Sequence, residues 1–387
     1  MFSSRTRWDR TANRLASVAE ARRAAGAQVV DLTQSNPTTA GIPYAQDLLS
    51  ALSDPEALRY EPSPFGLRAA REAVAADYRR RGVDVPPDHV VLTASSSEAY
   101  GFLFKLLCDP GDVVLVPRPS YPLFEYLAGL ESVAVAHYPV RYDGGWHLDL
   151  PALAEAVTPR TRAIVLVNPN NPTGSYLKRE EAAQVRRIAA RSNLALVSDE
   201  VFADYGLRAD PRRLGCMAAD GPALVFCLGG ISKSCGLPQL KVGWIAASGP
   251  APARDEALGR LEVVADTYLS VATPVQRALP GILARLPELQ APIAARVAGN
   301  LELLRARTAP PSPVTLLEPE GGWYATLRVP ATVTEEALVT RLLEEDDVLV
   351  HPGYFFDFPH EAYLVASLLP PPALFARGID RMLARML

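Results

Sequence analysis

Ala223-Leu-Val-Phe-Cys-Leu228 runs directly into Gly229-Gly-Ile-Ser-Lys233-Ser-Cys-Gly236. The first six residues are short and continuously apolar, the pattern of a strand buried on both faces. A lysine just beyond such a strand points into the interior. Burial disfavours the ammonium form and lowers its pKa, so a lysine there is either paired or used as a neutral amine nucleophile that makes Schiff bases. The plainer alternative is a loop lysine that reaches solvent. Two further runs share this construction: Arg162-Ala-Ile-Val-Leu-Val167 ends in Asn168-Pro-Asn-Asn171-Pro-Thr-Gly174, and Leu194-Ala-Leu-Val-Ser-Asp199 closes on Asp199-Glu200. Each reads as a buried parallel strand with a polar residue at its carboxyl end. Ligands of open α/β sheets bind outside those ends, so Asn171, Asp199 and Lys233 are expected to converge on one crevice.

The rest of the chain fits this frame. From about Ala45 to Leu279 apolar runs alternate with helical stretches, which predicts an α/β fold with a mostly parallel central sheet covered by helices on both faces. Pro280 then precedes a long Ala/Leu/Arg-rich helical stretch to Arg307. Thr315-Leu-Leu-Glu, Gly321 to Arg328 and Ala362 to Leu369 supply strands for a smaller sheet. At 387 residues and 49% hydrophobic content the chain exceeds one typical domain. The expected partition is a large domain over residues 45–280, with residues 1–44 and 281–387 outside it.

Composition excludes several classes. A formal net charge of −4, from 39 basic and 43 acidic residues without a basic run, leaves no electrostatic footprint for nucleic acid. Met1-Phe-Ser-Ser-Arg-Thr-Arg-Trp-Asp has no apolar signal core and no stretch reaches membrane-span length, so a cytoplasmic location without membrane contact is expected. Cys108, Cys216, Cys227 and Cys235 lack metal-like spacing, and the five histidines, His351 among them, are scattered. No metal is expected.

Val90-Val-Leu-Thr93 followed by Ala94-Ser-Ser-Ser-Glu98-Ala99 reads as strand, tight turn and helix start, where free amides and hydroxyls make an anion site. Serine as an ordinary helix cap is the alternative for Ser96 and Ser97. With this segment added, the chain resembles the class I/II aminotransferases of the aspartate-aminotransferase fold type, which depend on pyridoxal phosphate. The resemblance spans nearly the whole chain. Its carriers are Tyr60 to Gly66 with Leu67-Arg68, Thr93 to Glu98, Pro119-Ser-Tyr121-Pro, Asn168 to Gly174, Asp199-Glu200-Val201, Ser232-Lys233 and Lys241-Val-Gly-Trp244.

The resemblance implies PLP fold type I, with the N- and C-terminal parts forming the smaller α/β domain. It implies transfer of an amino group from an amino acid to a 2-oxo acid, through a Schiff base on Lys233 that then moves the substrate proton. Asp199 would keep the pyridine nitrogen protonated, although capping a following helix is another use of Asp. Asn171 would bond the ring's 3-oxygen and Tyr121 would stack on the ring, or be a half-buried core tyrosine. Ser96, Ser97, Ser232 and Lys241 would hold the phosphate. Tyr60 would reach the partner's phosphate, making a homodimer with shared sites.

The chain also departs from the family. Lysine stands at 241 where arginine is usual, Ser95 where glycine is frequent, and Gly230 where many relatives carry a hydroxyl. Phe202 replaces a tyrosine that bonds the 3-oxygen, and Ser35 replaces a glycine near the substrate carboxylate. Val365 falls where an arginine clamps that carboxylate. Asn36 and Arg328 are the candidate replacements. The departures keep open another pyridoxal phosphate reaction, such as β-elimination, decarboxylation or racemisation, and a non-catalytic sensor; donor, acceptor and pathway are not fixed by the sequence.

Overall fold

Continuous apolar runs become the central strands of the computed structural model, which describes residues 1–11 and 13–386. In chain order the strands are β1 (Val30–Asp31), β2 (Val90–Thr93), β3 (Val113–Arg118), β4 (Ala134–Tyr142), β5 (Trp146–Leu148), β6 (Thr161–Val167), β7 (Ala195–Asp199), β8 (Val225–Gly230), β9 (Gly243–Ser248), β10 (Thr315–Leu317), β11 (Tyr324–Arg328), β12 (Val348–Leu349), β13 (His351–Pro352) and β14 (Tyr363–Ser367). The large sheet has eight strands in the order β2-β9-β8-β7-β6-β3-β4-β5. From β8 through β4 all neighbours are parallel, while β9 and β5 run against theirs. The fold is therefore α/β with a mostly parallel sheet.

Every residue of β2, β8 and β9 is buried, which explains why these strands read as unbroken apolar runs rather than alternating ones. One face packs Val90, Leu92, Ile164 and Leu196 under the helices that include Val74 and Val185. The other packs Val91, Val165, Val197 and Phe226 under Phe102, Leu103 and Leu261. A second, antiparallel sheet has the order β10-β11-β14-β13, and β1 pairs in parallel with β12 beside it. Its core joins Val30 and Leu32 to Val297, Leu364 and Phe375.

The two sheets meet at Trp323. It is fully buried, with its ring edge-on to Phe202 at 5.1 Å and Tyr205 at 5.0 Å. Truncating an aromatic in such a place costs roughly 3–5 kcal/mol, so this seam is a fixed contact rather than a loose one. Gly174 meets the second sheet closely as well: a Cβ there would lie 2.5 Å from the Gly321 carbonyl oxygen.

Two expectations about elements are corrected. Strand alternation does not begin near Ala45; Gln46–Ser53 and Pro55–Leu58 are 3-10 turns, and the large sheet begins at Val90. Pro280 does not precede the long helix either. It lies inside the Thr273–Ala284 helix, and the break falls at Arg285 before Leu286–Thr308. Proline removes one backbone donor but need not end a helix whose face is buried, as Val275, Leu279 and Ile282 are here.

Candidate active site

The carboxyl ends of β2, β6, β7 and β8 open on one side of the large sheet. Val167 is in register with Asp199, and Asp199 with Leu228, so the segments leaving β6, β7 and β8 start side by side. They border a cavity of about 490 Å³ whose lining includes Ser96, Ser97, Tyr121, Asn171, Asp199 and Lys233. The opposite wall comes from the second sheet and the Gly353–Phe356 turn: Tyr324, His351, Phe355 and Phe356, with Ser35 beside them.

Lys233 sits in a single helical turn, Ile231–Ser234, that leaves β8 without a linker. The Ser234 hydroxyl donates to the Gly230 carbonyl at 2.9 Å, and the Ile231 amide donates to the Val242 carbonyl at 3.1 Å. The Tyr205 hydroxyl donates to the carbonyl oxygens of Lys233 and Ser234, at 2.9 and 3.1 Å. This turn is thus fixed from three sides. Gly230 has a packing reason, since a Cβ there would stand 3.0 Å from the Val242 carbonyl oxygen. The amine lies 5.5 Å from the ring centres of both Phe202 and Trp323. Burial lowers its pKa, with the Asp199 carboxylate pulling the other way.

Asp199 ends β7. Its carboxylate accepts the Tyr100 hydroxyl at 3.1 Å and the Val201 amide at 3.2 Å. Burial raises its pKa to about 6, against those two hydrogen bonds and the Lys233 charge. The residues after Asp199 form turns and not the helix that the cap alternative needs, so the Val201 bond closes a local turn instead. Tyr100 lies on the inner face of the Ser96–Leu107 helix, its ring edge-on to Phe124 at 5.4 Å.

Ser95 caps that helix by accepting the Glu98 amide at 3.1 Å, and its φ of −171° is extended, a conformation that needs no glycine. The glycine that the turn does require is across the sheet. A Cβ on Gly243 would lie 3.0 Å from the Ser95 carbonyl carbon and 3.1 Å from the Ser96 nitrogen. In the loop after β6, Asn168 accepts the Leu177 amide at 2.9 Å, and Asn170 donates to the Pro119 carbonyl at 3.0 Å. Asn171 keeps a buried Oδ1 with no partner and faces the cavity.

Five expected site residues do not line this cavity in the single chain. Tyr60 is 75% exposed and borders a different cleft with Leu269 and Ser270. Ser232 is half-buried and Lys241 exposed, the latter two residues before the Gly243 contact. Asn36 is exposed, and its side-chain oxygen accepts the Thr38 amide and hydroxyl at 3.1 and 2.8 Å. Its oxygen is committed to its own turn. Arg328 is the exposed last residue of β11, four positions beyond Tyr324 and so about 13 Å along the strand at ~3.3 Å per residue. It does not border the cavity.

Sequence reasoning missed Tyr100, Tyr324, His351, Phe355 and Phe356. Only Tyr100 carried a local signal, as a hydroxyl one helical turn beyond Ser96. Outside the cavity, Glu200, Cys216 and Cys227 cluster in the core. Glu200 is ion-paired to Arg81 at 2.5 Å and accepts the Met217 amide at 2.7 Å, so its charge is already matched.

An electrophilic cofactor with an anionic arm and a basic ring nitrogen fits this constellation. It needs an uncharged amine, a carboxylate and an unspent acceptor or donor, and the cavity walls present Lys233, Asp199 and Asn171 in these roles. The family described as aminotransferase class I and II matches residues 27–365. An alanine aminotransferase of Mycobacterium tuberculosis is 29% identical over 374 residues, covering 93% of this chain and 86% of that protein. A nicotianamine aminotransferase of rice is 32% identical over 236 residues, where the match spans 59% of this chain and only 46% of the relative. Among solved structures, an aminotransferase from Escherichia coli superposes with a TM-score of 0.85 at 25% identity, over 99% of this chain and 97% of that one.

Proposed function

The chain belongs to the pyridoxal phosphate-dependent class I and II aminotransferases, and we propose that Lys233, Asp199, Asn171, Ser96 and Ser97 form its working site. The observation that supports this assignment is geometric: the carboxyl ends of β7 and β8 bring the Asp199 carboxylate, held by Tyr100 and the Val201 amide, and the Lys233 amine side by side onto one wall of the cavity. Burial pushes the Lys233 amine toward its neutral form. When bound, the cofactor supplies an electron sink for the bond that breaks at the substrate's α-carbon.

The chain's own residues do the rest. Lys233 would hold the cofactor through its amine and, once freed by the substrate, would serve as the base that takes the proton from the substrate α-carbon. Asp199, oriented by Tyr100, would stand as the ionised partner that keeps the cofactor's ring nitrogen protonated. Asn171 offers its side chain to the ring's oxygen. Ser96 and Ser97 open the 12-residue Ser96–Leu107 helix, where first-turn amides and the helix dipole favour a phosphate. Phe124, Leu127, Phe355 and Phe356 make the remaining wall apolar, which excludes water and suits an amino acid with an apolar side chain.

The proposal extends to assembly and partition. The partition proposed is a large unit over residues 45–280, which holds the eight-strand sheet, and a smaller one from residues 1–44 and 281–387, which holds the four-stranded sheet. Two chains associate so that Tyr60 of each completes the other's phosphate site. In support, Leu58, Tyr60, Val263 and Tyr268 present large apolar side chains to solvent at 91, 75, 69 and 50% exposure. Ser232 and Lys241 would support that phosphate from the rim, outside the cavity lining of the single chain. Mixing the purified protein with single amino acids tests the function: loss of the cofactor's visible band with formation of the matching 2-oxo acid is expected. Release of ammonia or carbon dioxide instead would refute the transamination reading.

A further inference from the structure

The cavity has one basic side chain at neutral pH, Lys233, and that amine serves the cofactor. An amino acid and a 2-oxo acid both carry a carboxylate beside the reacting carbon. In a water-poor site such a group needs charge-assisted hydrogen bonds. Asn36 is exposed and does not border the cavity, and Arg328 stands at the far end of β11, so neither supplies them.

The second-sheet wall offers one group that is placed for it. His351 of β13 is directly opposite Val365 of β14, which is opposite Thr326 of β11, so these three side chains form a row on one face. Tyr324, two residues from Thr326, shares that face and lines the cavity, as His351 does. The His351 ring is held edge-on to Phe356 at 5.6 Å and tilted to Phe355 at 5.8 Å. Its Nδ1 is buried without a partner, and among the described residues neither ring nitrogen makes a hydrogen bond. A buried polar atom without a partner calls for an explanation, and at a residue that lines a ligand cavity a bound ligand is one.

We infer that His351 binds the carboxylate of the substrate, taking up a proton from solvent as the carboxylate arrives. The inference rests on the aminotransferase reading above. Burial holds the free imidazole down to about 4, and Asp31 pulls weakly the other way. The charges that face it are few. Asp31 is already paired to Arg23 at 2.9 Å and accepts the Thr33 amide, Lys233 and Asp199 lie on the other wall, and Tyr324 is held neutral by burial. An arriving carboxylate is the first unshared anion beside the ring. An opposite charge at contact moves a pKa by about 1–3 units, which brings His351 to about 5–7 in the complex. Between those two values binding takes up a proton; above the upper one His351 donates as a neutral ring.

The test uses the holoenzyme and the unreactive acid 3-phenylpropionate, with its neutral amide as control. Calorimetry at pH 5.5 in two buffers of different ionisation enthalpy counts the protons. The wild type should take up up to one proton more than H351Q, and H351Q should bind the acid about tenfold more weakly while binding the amide unchanged. H351R should keep affinity for the acid and lose the additional uptake. In turnover, H351Q should raise KM for the amino acid with kcat little changed. Equal affinity and equal uptake in wild type and H351Q would overturn the inference, as would a wild-type affinity for the acid that is flat from pH 5 to 8. If no amino acid reacts with wild type, the aminotransferase reading falls and this one with it. If amino acids react equally well with both proteins, only the His351 assignment falls.

Discussion

Tyr100→Phe removes one hydroxyl and nothing else from the cavity wall. That hydroxyl donates to Asp199 at 3.1 Å from a ring that is 3% exposed, so no solvent donor stands ready to replace it. A hydrogen bond to a charged acceptor is worth about 1.5–3 kcal/mol, and one pKa unit corresponds to about 1.4 kcal/mol. The loss should therefore move Asp199 up by about 1–2 units from its value of about 6. The sign follows from burial: with one donor gone, the charged form is less favoured, and ionisation needs a higher pH. In a Lys233→Ala background, where attachment to the amine cannot contribute, non-covalent cofactor affinity should fall as pH drops through the Asp199 midpoint, about 6 or somewhat above it once the Lys233 charge is gone, because the protonated ring nitrogen needs an ionised partner. Adding Tyr100→Phe should shift that midpoint up by the same 1–2 units, weakening binding at pH 7 by about twofold to tenfold and restoring it above pH 9. Absorbance titration of cofactor across pH 5–9 measures it. A midpoint that does not move would refute the claim that Tyr100 tunes Asp199.

Lys233→Ala alone should remain folded yet lose turnover, and borohydride reduction of the wild type followed by peptide mapping should place the label on Lys233; label on Lys241 would sink the assignment. Asp199→Asn should lower turnover about a hundredfold or more, the scale of one preorganised electrostatic donor. The same change should stabilise the cofactor-free protein by about 1–3 kcal/mol at pH 8. The sign is that of a carboxyl whose folded pKa is raised from 3.8 to about 6: stability is lost as pH rises between those values, and the amide avoids that loss in thermal melts. Gly243→Ala should cost about 1–3 kcal/mol, since its Cβ would press on the Ser95–Ser96 backbone, and should weaken inorganic phosphate binding more than it weakens the fold. Mixing Tyr60→Ala chains with Lys233→Ala chains should restore activity in hybrid sites; no recovery after proven subunit exchange would show that each site is built within one chain.

What was legible in the sequence is what depends on neighbouring residues. Asp199 and Lys233 could be placed because each follows a short apolar run, and a parallel strand buried on both faces leaves no alternation to mislead the reading. The eight-strand sheet then sets these ends side by side without further information. The second wall depends on contacts between distant parts of the chain. β13 is two residues long and ends in proline, so no hydrophobic period marks it, and His351 gains its place only through pairing with Val365. Arg328 misled for the converse reason. Alternation correctly put it on the face of Tyr324 and Thr326, but period alone does not say how far along a strand the cavity extends.

The glycine departures show the same division. Ser95 stands where glycine is frequent in the family, yet its backbone is extended and the tight approach is met by Gly243 from β9. Gly230 looked like a lost hydroxyl, yet a side chain there would strike the Val242 carbonyl that fixes the Lys233 turn. In both cases a residue's meaning lies in the strand that pairs beside it, since β9 lies between β2 and β8 and touches both turns at once. One strand that carries none of the cavity's side chains thereby sets the spacing between the phosphate-side helix and the lysine turn. A change at Gly243 is therefore expected to act on the proposed anion site and on the amine together, whereas a change on the second-sheet wall is expected to act on the substrate alone.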